Sequence, residues 1–322
     1  MAERSPLTKN DITYELFEMD PAVYYQERYA YSNVVGIVAK EGRVARNSLV
    51  YQKAYHLLET IRRLSNETGN RPLRVLEVGC GSGTFGARVK HFDPTIHLFG
   101  VDMSASCIEI AKQNGFDEAM AYDVVGGLPY DNDQFDLVYT MDFFGHIEFR
   151  SKDAIIAEIH RVTKPGGLGF HGIETGYIGY LNCNPKDPND HVRKYVYKEG
   201  HIGVEPLEDI VDRFSPLFEI VQAFPFPIRP LLNIQNIMNS RFWGDEFCSA
   251  FAEIDTPQAR MAADLVIGWF NKYLTEQLLQ VYGSKLIRTR VPDSGHPGLN
   301  RMIDTMLQGS GFSMTTVRKP NA

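Results

Sequence analysis

The chain has 322 residues, of which 43% are hydrophobic and 23% charged, and its formal net charge is −7. A chain of this size buries a full core, and an acidic balance without a basic stripe argues against a polyanion partner, so no nucleic acid is expected. Cys80, Cys107, Cys183 and Cys248 form no C-x-x-C pair, which argues against a zinc knuckle or a disulfide framework and suits a reducing cytoplasm.

The opening "MAERSPLTKND" lacks the apolar stretch of a signal peptide, and no apolar run reaches the roughly 20 residues of a bilayer span, so no membrane association is expected. Residues 47–64, "NSLVYQKAYHLLETIRRL", carry apolar side chains at helical spacing behind Asn47 as N-cap. "LRVLEVG" reads as a buried strand, "HLFGVD" as a second, and "CIEIAKQNG" as a helix closed by Gly115. "AMAYDV" is a third strand, "FDLVYTMD" a fourth, "KDAIIAEIHRV" a helix, and "KPGG" a turn into a fifth strand, "LGFHGIE". Residues 176–204 read as loop around "NPKDPND", followed by a helix, "EPLEDIVDRF", and a sixth strand, "LFEIVQAF". "FPFPIRP" breaks the pattern before a helical stretch from about Leu231 to Tyr282, and "GFSMTTVRKP" is a last strand. Alternating strands and helices predict an α/β fold, a Rossmann-like doubly wound sheet of seven strands. The predicted organisation is an N-terminal segment (1–46), a core (47–225), a helical insertion (226–310) and the core's final strand (311–322).

Ligands of such sheets bind outside the carboxyl ends of the strands. At the first strand end, "VLEVGCGSGTFG" holds two fingerprints. Gly81, Gly83 and Gly86 spell the dinucleotide pattern G-x-G-x-x-G, whereas Gly79, Gly81 and Gly83 spell G-x-G-x-G behind Glu77. Asp102 ends the second strand, where a carboxylate accepts from ribose hydroxyls of either kind of ligand. Glu77 discriminates, because a carboxylate there repels a pyrophosphate and meets an ammonium group. Asp123, at the third strand end, is placed to accept from an adenine amino group.

In order and spacing, "LEVGCGSGTFG", "FGVDMS", "AYDVVGGLPYDNDQFDLVYTMDFFGHIE" and "AEIHRVTKPGG" resemble the successive motifs of class I S-adenosylmethionine-dependent methyltransferases, most nearly the small-molecule branch related to methyltransferase type 11. The resemblance covers roughly residues 70–175 and the last strand. It implies S-adenosylmethionine as donor and S-adenosylhomocysteine as product. By that resemblance Glu77, Gly79 and Gly81 line the methionine end, Asp102 binds the ribose, and Met103 packs on the adenine. Asp123 and Val124 border the adenine amino group, and Asp142 and Phe143 border the sulfonium. Gly83 and Gly86 are expected to serve helix packing.

The resemblance also implies a small-molecule acceptor, methylated on oxygen by in-line transfer in biosynthetic or specialised metabolism. A hydroxyl acceptor benefits from a general base. His146 and Glu174, which follow strand ends, are the candidates. His171 reads as a core histidine, and His191 and His201 as solvated. The tyrosine-rich segment "DPAVYYQERYAYSN" is expected to act as a lid, with Tyr25 and Tyr29, together with Tyr177 and Trp269, against the acceptor. The apolar helical face around Trp269 would pack within the insertion, roof the acceptor or form a homodimer interface. Arg193, Lys194 or Arg229 could hold an acidic acceptor group. No metal is expected, since only Asp142 and Asp187 stood out as hard-cation ligands. Two rivals are a methyltransferase fold that binds the donor without transferring the methyl, as a partner subunit or rearrangement enzyme, and an NAD-dependent oxidoreductase.

Overall fold

Strands that are apolar on both faces need helices on both sides, and the chain supplies them. A computed structural model describes residues 5–6, 48–175, 182–183, 200–225 and 312–321. The strands are β1 (Arg74–Val78), β2 (His97–Asp102), β3 (Glu118–Ala121), β4 (Phe135–Met141), β5 (Thr163–Ile173), β6 (Glu219–Pro225) and β7 (Ser313–Arg318). They form one sheet in the order β3-β2-β1-β4-β5-β7-β6. β1 to β5 pair in parallel, while β7 runs antiparallel to both β5 and β6. The strand order therefore reverses between β1 and β4, which opens a crevice at their carboxyl ends.

The helices are α1 (Ser48–Glu67), α2 (Thr84–Phe92), α3 (Ala105–Gln113), α4 (Phe149–Val162) and α5 (Leu207–Phe214). Pleat alternation sends Val75 into the core cluster that includes Leu57, Ile61 and Ile108 of α1 and α3. Leu76 and Val78 point the other way, to Ile155, Ile159 and Ile210 of α4 and α5. Glu77, between them in sequence, falls on the first of these faces. That places a carboxyl group under the loop opening α2.

Three boundaries differ from expectation, each for a local reason. β5 begins at Thr163, not after the "KPGG" turn: Phe135 pairs with Thr163, and pairing resumes at Leu137 with Leu168. Residues 164–167 are thus looped out inside the strand, with Gly166 at φ 72° donating its N–H to Lys319 O. β3 stops at Ala121, because the Asp123 carboxylate accepts from Val125 N–H at 3.0 Å and caps a 3₁₀ turn, Val124–Gly126. α1 runs three residues past Leu64. Ser5–Pro6 pairs with Asn182–Cys183. The remainder of the 1–46 segment, the 226–310 insertion, Tyr25, Tyr29, Tyr177, Asp187, His191, Arg193, Lys194, Arg229 and Trp269 lie outside the described residues. Among the described residues no helix is long and apolar enough to cross a membrane.

Candidate active site

The glycine loop is tied to β2 before any ligand enters. Gly79 and Cys80 donate their N–H groups to Val101 O at 2.9 and 3.0 Å. Gly81 N–H donates to Asp102 Oδ2 and Ser104 N–H to Oδ1, each at 2.9 Å. Burial raises the Asp102 pKa while these two amides pull it down. Gly79, at φ 73°, needs its missing Cβ twice over, since that atom would lie 2.4 Å from Phe143 Cδ2. Phe143 therefore lies directly against the glycine loop, although it comes from the end of another strand. Cβ atoms on Gly83 and Gly86 would meet Phe116 at 2.7 and 2.2 Å, so both glycines serve packing, as expected.

Glu77 is 2% exposed, and its Oε2 accepts from Tyr139 Oη at 2.7 Å. Burial pushes its pKa up to about 8; the Tyr139 hydrogen bond opposes that, and the Asp102 charge adds to it. Met103 is half-buried beyond Asp102. Asp123 is exposed, whereas the Val124 side chain is buried in the core. Glycine backbone, a carboxylate at the β2 end and an exposed carboxylate beyond the β3 end thus follow one another along the carboxyl edge of the sheet.

The ends of β4 and β5 carry different chemistry. Asp142 adopts φ 52°, unusual outside glycine, and its N–H donates to Gly172 O at 3.1 Å. Lys53 Nζ on α1 donates to Asp142 Oδ1 at 2.5 Å and lies 3.8 Å over the Phe312 ring. Glu174, next after β5, is 7% exposed, and its Oε2 has no hydrogen-bond partner among the described residues. Burial raises its pKa to about 8; Asp142 raises it further, and Lys53 opposes. His146 Nε2 lies 3.8 Å from Glu174 Oε1, and Nδ1 lies 2.9 Å from Gly200 O. The His201 ring sits 4.8 Å from that of His146, centroid to centroid. His201, read from sequence as solvated, thus joins the two candidate bases. His171 is a core residue as expected: it is fully buried, its Nδ1 is 3.1 Å from Thr140 Oγ1, and burial lowers its pKa to about 3.

His201 reaches this place because its loop is latched. Gly203 N–H donates to Gly145 O at 2.7 Å, and a Cβ on Gly203 would lie 2.0 Å from Ile147 O. Lys152 Nζ donates to Gly203 O and, at 2.7 Å, to Glu205 Oε1. Glu205 also accepts from Arg213 Nε at 3.0 Å on both oxygens. Lys152 and Glu205 are each 1% exposed, so this is an ion pair inside the protein rather than a surface contact.

Residues 75–167 match a family model described as a methyltransferase domain. Norajmaline N-methyltransferase of Rauvolfia serpentina is 31% identical over 123 residues, 35% of this chain and 41% of that protein. Demethylmenaquinone methyltransferase of Leptospira interrogans is 30% identical over 141 residues, 41% of this chain and 54% of that protein. The tRNA N(3)-cytidine methyltransferase METTL2 of Mus musculus is 25% identical over 166 residues, 44% of this chain and 43% of that protein. The chain thus spans about half the length of these curated relatives. Among solved structures, Haemonchus contortus phosphoethanolamine N-methyltransferase 2 in complex with S-adenosyl-L-methionine aligns with a TM-score of 0.45 at 16% identity, over 78% of this chain and 49% of that one. One relative's name carries tRNA, so net charge alone does not settle the class of acceptor.

Proposed function

We propose that this chain is a class I S-adenosylmethionine-dependent methyltransferase, as its methyltransferase-domain match over residues 75–167 supports, and that it methylates a small-molecule hydroxyl. Bound at the glycine loop, S-adenosylmethionine supplies a methyl group already activated on a sulfonium. The protein's own work is then alignment and proton removal. Gly79, Gly81 and Asp102 fix the donor's position, and Phe143 carries the contact from the loop to the acceptor side. The observation that carries the reading is the convergence of His146 and Glu174, 3.8 Å apart, beside Asp142 and Phe143. In this reading the pair accepts the acceptor proton jointly, the proton ending between His146 Nε2 and Glu174 Oε1. A neutral amine would not need such a pair, which is why oxygen is the favoured acceptor atom.

The test is a calorimetric titration with S-adenosylmethionine, S-adenosylhomocysteine and NAD in parallel, with Asp102→Ala as control. Both adenosyl compounds should bind, and the variant should bind them about 30- to 100-fold more weakly, the loss of two or so kcal/mol of charged hydrogen bonding. His146→Ala should bind the donor as the parent does and lose transfer to hydroxyl acceptors. NAD binding alone, or transfer to amines with His146→Ala unimpaired, would defeat the proposal.

A further inference from the structure

We propose that His146, Glu174 and His201 form a binding site for one divalent transition-metal ion of the zinc class, with an open position for the acceptor oxygen. The inference rests on reading this site as the acceptor's, and it changes what the three residues do there.

The side chains offer one ligand atom each, all within 4.8 Å of one another. Zinc is held at about 2.0–2.2 Å by imidazole nitrogen and carboxylate oxygen. Neighbouring ligand atoms of a tetrahedral site therefore lie about 3.4 Å apart, and the 3.8 Å from His146 Nε2 to Glu174 Oε1 is within about half an ångström of that. A separation of 4.8 Å, the widest in the trio, needs to close by about 1.4 Å, within reach of a side-chain rotation.

The donor set is also prepared for a cation. His146 Nδ1 lies 2.9 Å from Gly200 O, and a carbonyl can only accept, so Nδ1 carries the hydrogen. The neutral ring then presents a lone pair at Nε2, toward a carboxylate that presents lone pairs in return. A metal ion between them takes the place of the proton that the buried carboxyl otherwise holds. A backbone carbonyl holding the far nitrogen is the usual way a protein orients a metal-binding histidine. The buried Glu174 Oε2 has no hydrogen-bond partner among the described residues, which leaves carboxylate valence for an ion. Two imidazoles and one carboxylate suit zinc-like ions better than magnesium or calcium, which prefer oxygen.

The position suits the reaction. Phe143 abuts Gly79 of the glycine loop, Asp142 is the next residue, and its charge acts on Glu174. The trio is therefore about one side chain removed from the donor loop. Among the described residues the site has three protein ligands, which leaves a fourth position, as in catalytic zinc sites. An acceptor hydroxyl bound there gives up its proton to water. Its oxygen lone pair then forms the bond to the methyl carbon as the sulfur–carbon bond breaks, and that electron pair stays on sulfur. Metal and oxygen end the step still bound, with the methyl ether as product.

The experiment uses the full chain, purified with chelator and then dialysed. Calorimetric titration with Zn²⁺ should give one equivalent per chain, and Co²⁺ should give visible d–d absorption of a low-symmetry site. Zn²⁺ should also raise the melting temperature, since an ion bound only to the folded state stabilises it by mass action. His201→Ala and Glu174→Gln should each weaken Zn²⁺ binding about 100-fold or more while leaving S-adenosylhomocysteine binding unchanged. That last measurement separates a lost metal site from a lost fold or a lost donor site. Substoichiometric binding, or full binding that survives both variants, overturns the metal site. If methyl transfer to hydroxyls persists in that case, the acid–base reading above stands without it. If Zn²⁺ binds as described and no hydroxyl acceptor is methylated, the function is wrong and the metal site stands.

Discussion

In the proposed reading, the donor half and the acceptor half of this crevice are built on different plans. The donor half consists of backbone turns that follow β1, β2 and β3, held by local hydrogen bonds such as Ser104 N–H to Asp102 and by bonds between adjacent strand ends such as Gly81 N–H to Asp102. The acceptor half consists of side chains from α1, the turn after β4, the end of β5 and the loop at 200–205, held by contacts across the chain. The first is stiff because its parts are neighbours. The second is stiff only while its latch is closed, and this difference sets where mutations will be felt.

The latch is the place to break the comparison hardest. Lys152→Met removes one cation from an ion pair in which both partners are 1% exposed. Losing one member of a buried pair costs about 3–5 kcal/mol. Arg213 still faces Glu205 at 3.0 Å and should hold the cost near the lower figure. The loop bearing His201 should then detach from Gly145, so acceptor-side activity falls while S-adenosylhomocysteine binds with unchanged affinity. Denaturant melts and calorimetry on the same variant check both statements. Donor affinity that falls in step with stability would mean that the two halves are a single unit.

The two plans also explain what was legible in the sequence. The sheet, its seven strands and the places of Asp102 and Asp123 in it could be read because each of these residues stands at a fixed offset from a strand end. Asp102 and Asp123 needed only the β-α period to be placed. Lys53 carried a signal that went unread: it falls on the stripe Lys53, Leu57, Ile61 of α1, where a charge among buried neighbours calls for a partner. His201 had none. It reaches His146 through a loop whose Gly200 carbonyl is 54 residues away in sequence, and no spacing rule connects them. "KPGG" was correctly read as glycine-rich turn chemistry. It was misread as the boundary of a strand that continues through it, because backbone pairing on both sides of a bulge is not written in the turn residues.

A finer contrast lies within the donor loop itself. Gly79 and Gly81 both have positive φ, 73° and 51°. A Cβ on Gly79 would collide with Phe143, whereas one on Gly81 would have nothing within 4 Å. Gly81→Ala should therefore cost only the left-handed backbone, about 1–2 kcal/mol. Gly79→Ala pays that cost and also displaces the ring that connects the loop to the acceptor side, about 1–3 kcal/mol more. Only the Gly79 variant should disturb methyl transfer beyond its effect on donor affinity. Equal effects of the two substitutions on stability and on transfer would show that Phe143 does not couple the halves.

Glu77 gives the smallest and most specific prediction, because it belongs to the donor half yet touches no ligand-facing atom of the acceptor half. Its folded pKa of about 8 lies above the ordinary carboxyl value of 4.5, with burial as the leading cause. The folded protein therefore holds a proton that the unfolded chain has released between those values. The associated stabilisation is complete below about pH 4.5 and is lost as pH rises through about 8. Across that window the group contributes a decline of up to about 1.4 kcal/mol per pH unit. Glu77→Gln keeps an oxygen to accept from Tyr139 Oη and removes the titration. Urea melts at pH 5.5, 6.5 and 7.5 should show the variant losing less stability with rising pH than the parent, the two curves separating most at pH 7.5. Parallel curves would mean that Glu77 is ionised throughout, and that the floor of the glycine loop carries a full negative charge before any donor arrives.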